Sequence, residues 1–404
     1  MLTSLALIFL VGMALGWAAA RLRLPSLLGM LLTGILLGPS VLNVLDDSLL
    51  GISADLRQLA LIIILTRAGL SLNLEDLKRV GRPAIPLCFV PACFEMAGMV
   101  VLAPRLLGLS LLDSAILGAV VAAVSPAVIV PKMLRLMEGG WGTEQSIPQM
   151  ILAGASVDDV FVIVMFSSFT GLAQGGSLSP AAFLQIPLSI LTGAAAGLLA
   201  GTLFGEVYRR IHVRDSSKVV VLLSLSFLFV ALENGVKGVF PFSGLIAVMA
   251  SGIAVNRRRP EVASRLSQKY AKLWVAAEVL LFVLVGATVD VDYALASGAG
   301  AVLAILGALI FRMAGVFVCL MGTSLTGKQR LFTMMAYTPK ATVQAAIGSI
   351  PLSMGLACGP AVLTVAVLAI LITAPLGAFA IDLSYSRLLS QAPPPDTCQE
   401  GERI

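Results

Sequence analysis

Apolar stretches close to 20 residues long recur from one end of this chain to the other, separated by short polar turns. A helix of that length crosses about 30 Å of hydrocarbon. The pattern predicts 13 spans, at roughly 3–20, 25–43, 55–73, 84–106, 111–134, 147–170, 180–205, 217–233, 241–255, 273–290, 300–323, 329–350 and 358–381. The expected fold class is therefore an all-α integral membrane protein of about 13 transmembrane helices.

Composition agrees with that solvent. Of the 404 residues, 58% are hydrophobic and 12% are charged, and the mean hydropathy is +0.98. A soluble protein carries about twice that charged fraction. No polar stretch is long enough for a separate soluble domain, so residues 1–390 read as a single polytopic unit. Residues 391–404, with Pro393-Pro394-Pro395, read as a disordered cytoplasmic tail. Cys88, Cys93, Cys319, Cys358 and Cys398 lack metal-ligand spacing and read as small packing residues plus one tail thiol. The first span has no basic segment before it and no clear cleavage site, so it reads as a retained helix.

Basic residues set the orientation. Loops after odd-numbered spans hold 21 of the 27 lysines and arginines, while loops after even-numbered spans hold only Arg57, Arg105 and Lys237. Positive loops stay in the cytoplasm. The N-terminus is then outside and the C-terminus inside, and the absence of large loops fits a bacterial inner membrane. The net charge of +5 is a topology signal and predicts no nucleic-acid partner. Arg67, Arg312 and Lys340 fall inside spans and need a separate account.

The chain also repeats itself. Gly69 to Glu75 at the end of span 3 matches Gly286 to Asp292 at the end of span 10. Ser125-Pro126-Ala127-Val128 in span 5 matches Thr338-Pro339-Lys340-Ala341 in span 12, and spans 2 and 9 begin at Pro25 and Pro241. Spans 1–6 (about 1–170) thus correspond to spans 8–13 (about 217–385), with 180–205 as connector. An offset of seven spans reverses direction across the bilayer, which makes an inverted-topology repeat. Pro126 and Pro339 each remove a helix hydrogen bond near mid-depth. At equivalent positions, each beside a hydroxyl, they predict two broken helices that cross. Freed backbone is tolerated in a membrane only where protein or a water-filled cavity satisfies it.

Candidate chemistry lies in the charges that should not be there. Asp158 and Asp159 are the only charges between Ile147 and Thr170. A charge at mid-bilayer costs about 2.5–3.5 kcal/mol on insertion scales. Two adjacent carboxylates suit a site that trades a cation for a proton. Neighbouring helix positions diverge by about 100°, so the two point different ways. One is free to coordinate an ion while the other pairs with Lys340 or caps a broken helix. Hydroxyls of Ser125 and Ser156 can complete an oxygen shell for a hard alkali cation, Na⁺ or Li⁺. Lys340 sits where it can neutralise helix ends or counter a carboxylate, beside Thr338. Glu95 and Arg312 fall near the middle of the equivalent spans 4 and 11, and a buried salt bridge is the economical reading. The one histidine, His212, lies in a basic loop and reads as solvated.

At these residues the sequence resembles a family. Gly154-Ala155-Ser156-Val157-Asp158-Asp159-Val160 is similar to the paired-aspartate motif of the cation:proton antiporter superfamily. Thr338 to Gly348 and Val124 to Pro131 resemble its NHA-type sodium/proton exchangers, and Gly34 to Pro39 is a looser match. The resemblance implies the NhaA-like antiporter fold, a homodimer in the lipid bilayer, and a core domain including helices at 84–170 and 300–385. That core would move in an elevator-like exchange. It implies Asp159 as main cation ligand and proton acceptor with Asp158 as partner. It also implies that Glu95–Arg312 replaces the lysine that pairs with the first aspartate in electrogenic relatives. Three departures stand out: Val124-Ser125-Pro126 lacks the Thr-Asp-Pro acid of many members, Arg312 replaces a titratable lysine, and Thr288 occupies a position that is often acidic.

The expected activity is secondary active Na⁺(Li⁺)/H⁺ antiport, with cation and proton competing for Asp158-Asp159. Exchange should be electroneutral, because arginine keeps its proton. No Gly-rich phosphate loop is present, which argues against an ATP-driven pump, and no cofactor is expected. A potassium/proton antiporter of the same fold and a sodium-coupled organic anion symporter are the alternatives. An intramembrane enzyme would need a nucleophile–base pair or metal triad that the chain does not offer.

Overall fold

The computed structural model describes residues 1–22, 24–71, 83–174, 180–211, 213–236, 240–289 and 291–391, and for side chains excludes 156, 180–187 and 291–297. The expected tail after Gln391, His212 and the Asp290 end of span 10 lie outside the described residues. Among those described, the elements are all helices: α1 Leu2–Arg21, α2 Ser26–Leu37, α3 Asp47–Gly51, α4 Ser53–Ser71, α5 Ala84–Leu87, α6 Val90–Leu106, α7 Leu111–Ala122, α8 Pro126–Glu138, α9 Ile147–Gln174, α10 Pro180–Arg210, α11 Asp215–Val236, α12 Gly244–Arg258, α13 Pro260–Ala287, α14 Val291–Leu320, α15 Gly327–Ala336, α16 Thr342–Ile347, α17 Ile350–Ser353 and α18 Gly359–Leu388.

Every expected span coincides with a helix or a run of short helices. Nine helical stretches among the described residues are long and apolar enough to cross a membrane. The others are short, interrupted or charged. Helix α2 stops at Leu37 because Gly38 is extended (ψ 175°), the conformation that the following Pro39 favours. Helix α13 starts well before the expected span, with Pro260 in its first turn, where a missing N–H is harmless.

Span 5 is two helices, and so is span 12. Helix α7 is capped by Ser110, whose hydroxyl accepts from the Asp113 N–H. It ends at Ala122, and Pro126 starts α8. Helix α15 opens on a capping box between Thr326 and Gln329 and ends at Ala336, before Pro339. Span 4 carries a third interruption, at Cys88–Phe89 between α5 and α6.

The packing partners mirror the repeat. Helix α2 packs on α13 as α12 packs on α4, α4 lies against α13, and α6 lies against α14. Glycines permit the closest approaches. A side chain at Gly34 would run into the Val283 carbonyl, and one at Gly286 into the Leu31 carbonyl, so α2 and α13 touch backbone to backbone. Helix α10 meets α12 through Gly193, Gly197 and Gly201, each seated on a carbonyl, of Ser243, Ala247 and Ser251. Helices α5–α9 and α14–α18 pack mainly with one another, as do α1, α2, α4 and α10–α13.

Candidate functional site

The two breaks are joined. The Ser125 N–H donates to the Pro339 carbonyl over 2.8 Å. At each proline the regular helix hydrogen bonds stop, and the freed groups find partners across the crossing and on the neighbouring helices α9 and α18. The Val124 N–H donates to Asp158 Oδ2 at 2.9 Å. The Lys340 N–H donates to Thr373 Oγ1 at 2.9 Å. Gln344 Nε2 donates to the carbonyls of Ala123 (2.8 Å) and Val121 (3.3 Å).

Four buried charges surround this crossing in an alternating chain. Lys340 Nζ lies 2.5 Å from Glu95 Oε2, the same oxygen accepts from Arg312 Nη1 at 2.9 Å, and Arg312 Nη2 reaches Asp158 Oδ2 at 2.8 Å. All four residues are at most 1% exposed. Two cations meet two anions, so the chain is neutral as a unit. Burying such charges is tolerable only when each is paired and hydrogen-bonded.

Arg312 does more than pair. Its Nε donates to the Tyr337 carbonyl at 2.6 Å, and its Nη1 also donates to the Ala122 carbonyl. Those carbonyls terminate α15 and α7. The guanidinium fork therefore holds the C-terminal ends of both half-helices, where the helix dipole is negative. Lys340 Nζ joins it at Ala122, over 3.4 Å.

The carboxylate pair divides. Asp158 faces the crossing, where it receives Arg312 and the Val124 amide, and its Oδ1 accepts nothing. Asp159 is partly buried, makes no ion pair among the described residues, and has an enclosed Oδ1 without a donor. Ser125 is 1% exposed, and its Oγ has no hydrogen-bond partner and does not cap α8. Thr338 Oγ1 donates back to the Met335 carbonyl at 2.8 Å. The Ser156 side chain is outside the described residues. Thr288 accepts from Arg57 Nη1 at 3.0 Å.

The structure thus brings Glu95, Ser125, Asp158, Arg312 and Lys340 together, with Asp159 at the margin. Lys340 meets Glu95, and the partner of Asp158 is Arg312. Sequence reasoning passed over Gln344 and Tyr337. A lone glutamine inside the apolar run after Pro339 was the available signal. Among the described residues, no group of three or more His, Cys, Asp or Glu side chains is arranged to hold a metal ion. What the crossing offers is oxygen: carboxylates, a hydroxyl and an amide, the donor set of a hard cation.

The family described as "Sodium/hydrogen exchanger, transmembrane" matches residues 5–382. The Sodium/hydrogen exchanger 9B2 of Homo sapiens is 36% identical over 389 residues, covering 91% of this chain and 70% of the human protein. The Sodium/hydrogen exchanger 9B1 of Mus musculus is 32% identical over 386 residues, covering 91% of this chain and 67% of the mouse protein. The solved structure of the sodium proton antiporter MjNhaP1 from Methanocaldococcus jannaschii at pH 8 superposes with a TM-score of 0.84 at 21% identity, covering 96% of this chain and 98% of that one. A likeness at that identity establishes the fold, and the family match, which runs through both helix breaks and the paired aspartates, establishes the lineage: this multi-pass membrane protein belongs to the sodium/hydrogen exchanger family.

Proposed function

We propose that this protein exchanges sodium (or lithium) for protons, with Asp159 as the carboxylate on which cation and proton compete. The observation that carries this reading is the asymmetry of the pair. Asp158 has its counter-charge in Arg312 and its hydrogen bond at Val124. Asp159 has neither among the described residues. One uncompensated carboxylate beside a neutral charge network is a site for one monovalent cation or one proton. Its two loaded states carry equal charge, which supports one-for-one electroneutral exchange.

Alternating access follows from the breaks. The whole charge network rides on α6, α7, α9, α14 and the α15–α16 break, within the helix group that packs mainly with itself. The core, with helices at 84–170 and 300–385, moves as a body against the remaining helices and carries the site across the bilayer. The protein works as a homodimer in a plasma or inner membrane, with its N-terminus outside and C-terminus in the cytoplasm. The basic residues in loops after odd-numbered spans support that orientation.

Proton-gradient dissipation in proteoliposomes tests the reading, on adding Na⁺, Li⁺ or K⁺, with Asp159→Asn alongside. A sodium and lithium response lost in the variant is expected. A potassium response would change the substrate, and silence toward all three in folded protein would favour sodium-coupled organic anion symport. An exchange rate that follows an imposed membrane potential would overturn electroneutrality.

A further inference from the structure

Gln344 stands at the crossing, is fully buried, and has no part in the exchange described above. Its side-chain amide has two N–H donors and one oxygen acceptor. The nitrogen is committed to the Ala123 and Val121 carbonyls, which the break in span 5 sets free. Turning the amide over would set its oxygen against those two carbonyl oxygens, so chemistry fixes the orientation. Gln344 Oε1 is then held inside the protein with no donor facing it.

It is not the only such oxygen there. Ser125 Oγ, Asp158 Oδ1 and Asp159 Oδ1 are also enclosed and without partners. The amide and the Asp158 carboxylate hang on successive residues of one break, Ala123 through its carbonyl and Val124 through its N–H. Buried acceptors are nearly always satisfied, and several left unpaired along one break and the helix that contacts it call for a common partner. A hard cation is the partner that satisfies oxygens without needing donors.

We infer that Gln344 Oε1 is a further ligand of the transported alkali cation and helps set which cation fits. This rests on the antiporter reading. A neutral oxygen adds coordination without adding charge, so it acts on cation preference and leaves the proton count unchanged. Anchored at its nitrogen by two hydrogen bonds, it is a ligand of fixed position, and fixed ligands discriminate by size.

The bland role for Gln344 is a brace between α16 and the end of α7, and the test separates the two. Wild type, Gln344→Leu and Gln344→Glu are reconstituted and their Na⁺, Li⁺ and K⁺ responses compared. Loss of the ligand is expected to raise the sodium KM of Gln344→Leu about tenfold, more than it lowers the maximal rate. Its Na⁺:Li⁺:K⁺ ratios should change as well. Gln344→Glu keeps an oxygen and should retain sodium exchange with altered ratios. If Gln344→Leu fails to fold, Gln344→Glu decides alone. Unchanged KM values and ratios in the folded variants would overturn the ligand and leave the brace. A structure of the wild type in thallous ion needs no variant: an ion at Asp159 within ligand distance of Gln344 Oε1 supports the inference, and an ion at Asp159 away from it overturns it. Wild type that exchanges no cation would bring down the antiporter reading, and this inference with it.

Discussion

The amide of Ser125 donates to the carbonyl of Pro339, so each broken helix satisfies the other where its own ladder is interrupted. Neither break is stable alone. Each frees backbone groups in a place where water cannot serve them, and an unsatisfied buried group costs about 1–3 kcal/mol. The crossing, Asp158, Gln344 and Arg312 take up those groups together. Changes at the crossing should therefore be felt both in stability and in exchange.

Glu95 is the anion on which both Lys340 and Arg312 depend. Glu95→Gln leaves two buried cations with one carboxylate between them. Breaking a buried pair costs about 3–5 kcal/mol, and thermal melting in detergent should show a loss of that order. The partly exposed pair of Lys132 and Asp382, 2.6 Å apart, is the control. Lys132→Ala should cost about 1 kcal/mol or less. Equal melting of the two variants would contradict the network.

Gly154 is small because Tyr337 is there. A side chain at Gly154 would meet the Tyr337 hydroxyl, which is itself enclosed and without a partner. Gly154→Ala should destabilise by about 1–3 kcal/mol through overpacking. Tyr337→Phe removes an unpaired hydroxyl and should be close to neutral alone. The double variant should recover most of the loss, because the two residues share one contact. Additive losses in a melting series would show that the clash is relieved elsewhere.

Competition at one carboxylate has a kinetic signature. Lowering the pH, equal on both sides, should raise the apparent sodium KM about tenfold per unit on the acid side while the maximal rate at saturating sodium holds. Initial rates against sodium at several pH values measure both. A maximal rate that falls at constant KM would mean that the proton acts at a second site.

Gly193, Gly197 and Gly201 let α10 lie on the carbonyls of α12. Gly197→Leu should push these helices apart and lower the melting temperature by several degrees, a loss of about 2 kcal/mol or more. Gly171, whose surroundings are open, should tolerate alanine. Similar melting of both variants would show that the close approach carries no stability.

Much of this was legible along the chain, because a membrane leaves few choices. Hydrocarbon forces apolar runs of fixed length, and the helix positions followed from them. Internal similarity around Pro126 and Pro339 marked both breaks, since proline cannot continue a helix ladder. A charge inside an apolar run is costly enough to be conspicuous, so Glu95, Asp158, Asp159, Arg312 and Lys340 named themselves.

Which charge meets which was not legible. Lys340 and Asp158 were each open to several partners on sequence alone, and only the fold sets Lys340 against Glu95 and Arg312 between two acids and two helix ends. That choice depends on distances of a few ångströms between residues as many as 245 positions apart. The same holds for Gln344, whose role depends on carbonyls freed in a different helix. Sequence by itself determined where the spans run, the breaks at Pro126 and Pro339, and the burial of Glu95, Asp158, Arg312 and Lys340, because hydrocarbon and proline act locally; it did not mark the interruption at Cys88–Phe89 or the burial of Arg57. Tertiary structure alone decided the partners, because Coulomb attraction and hydrogen bonding act between groups that only the packing of distant helices brings into reach.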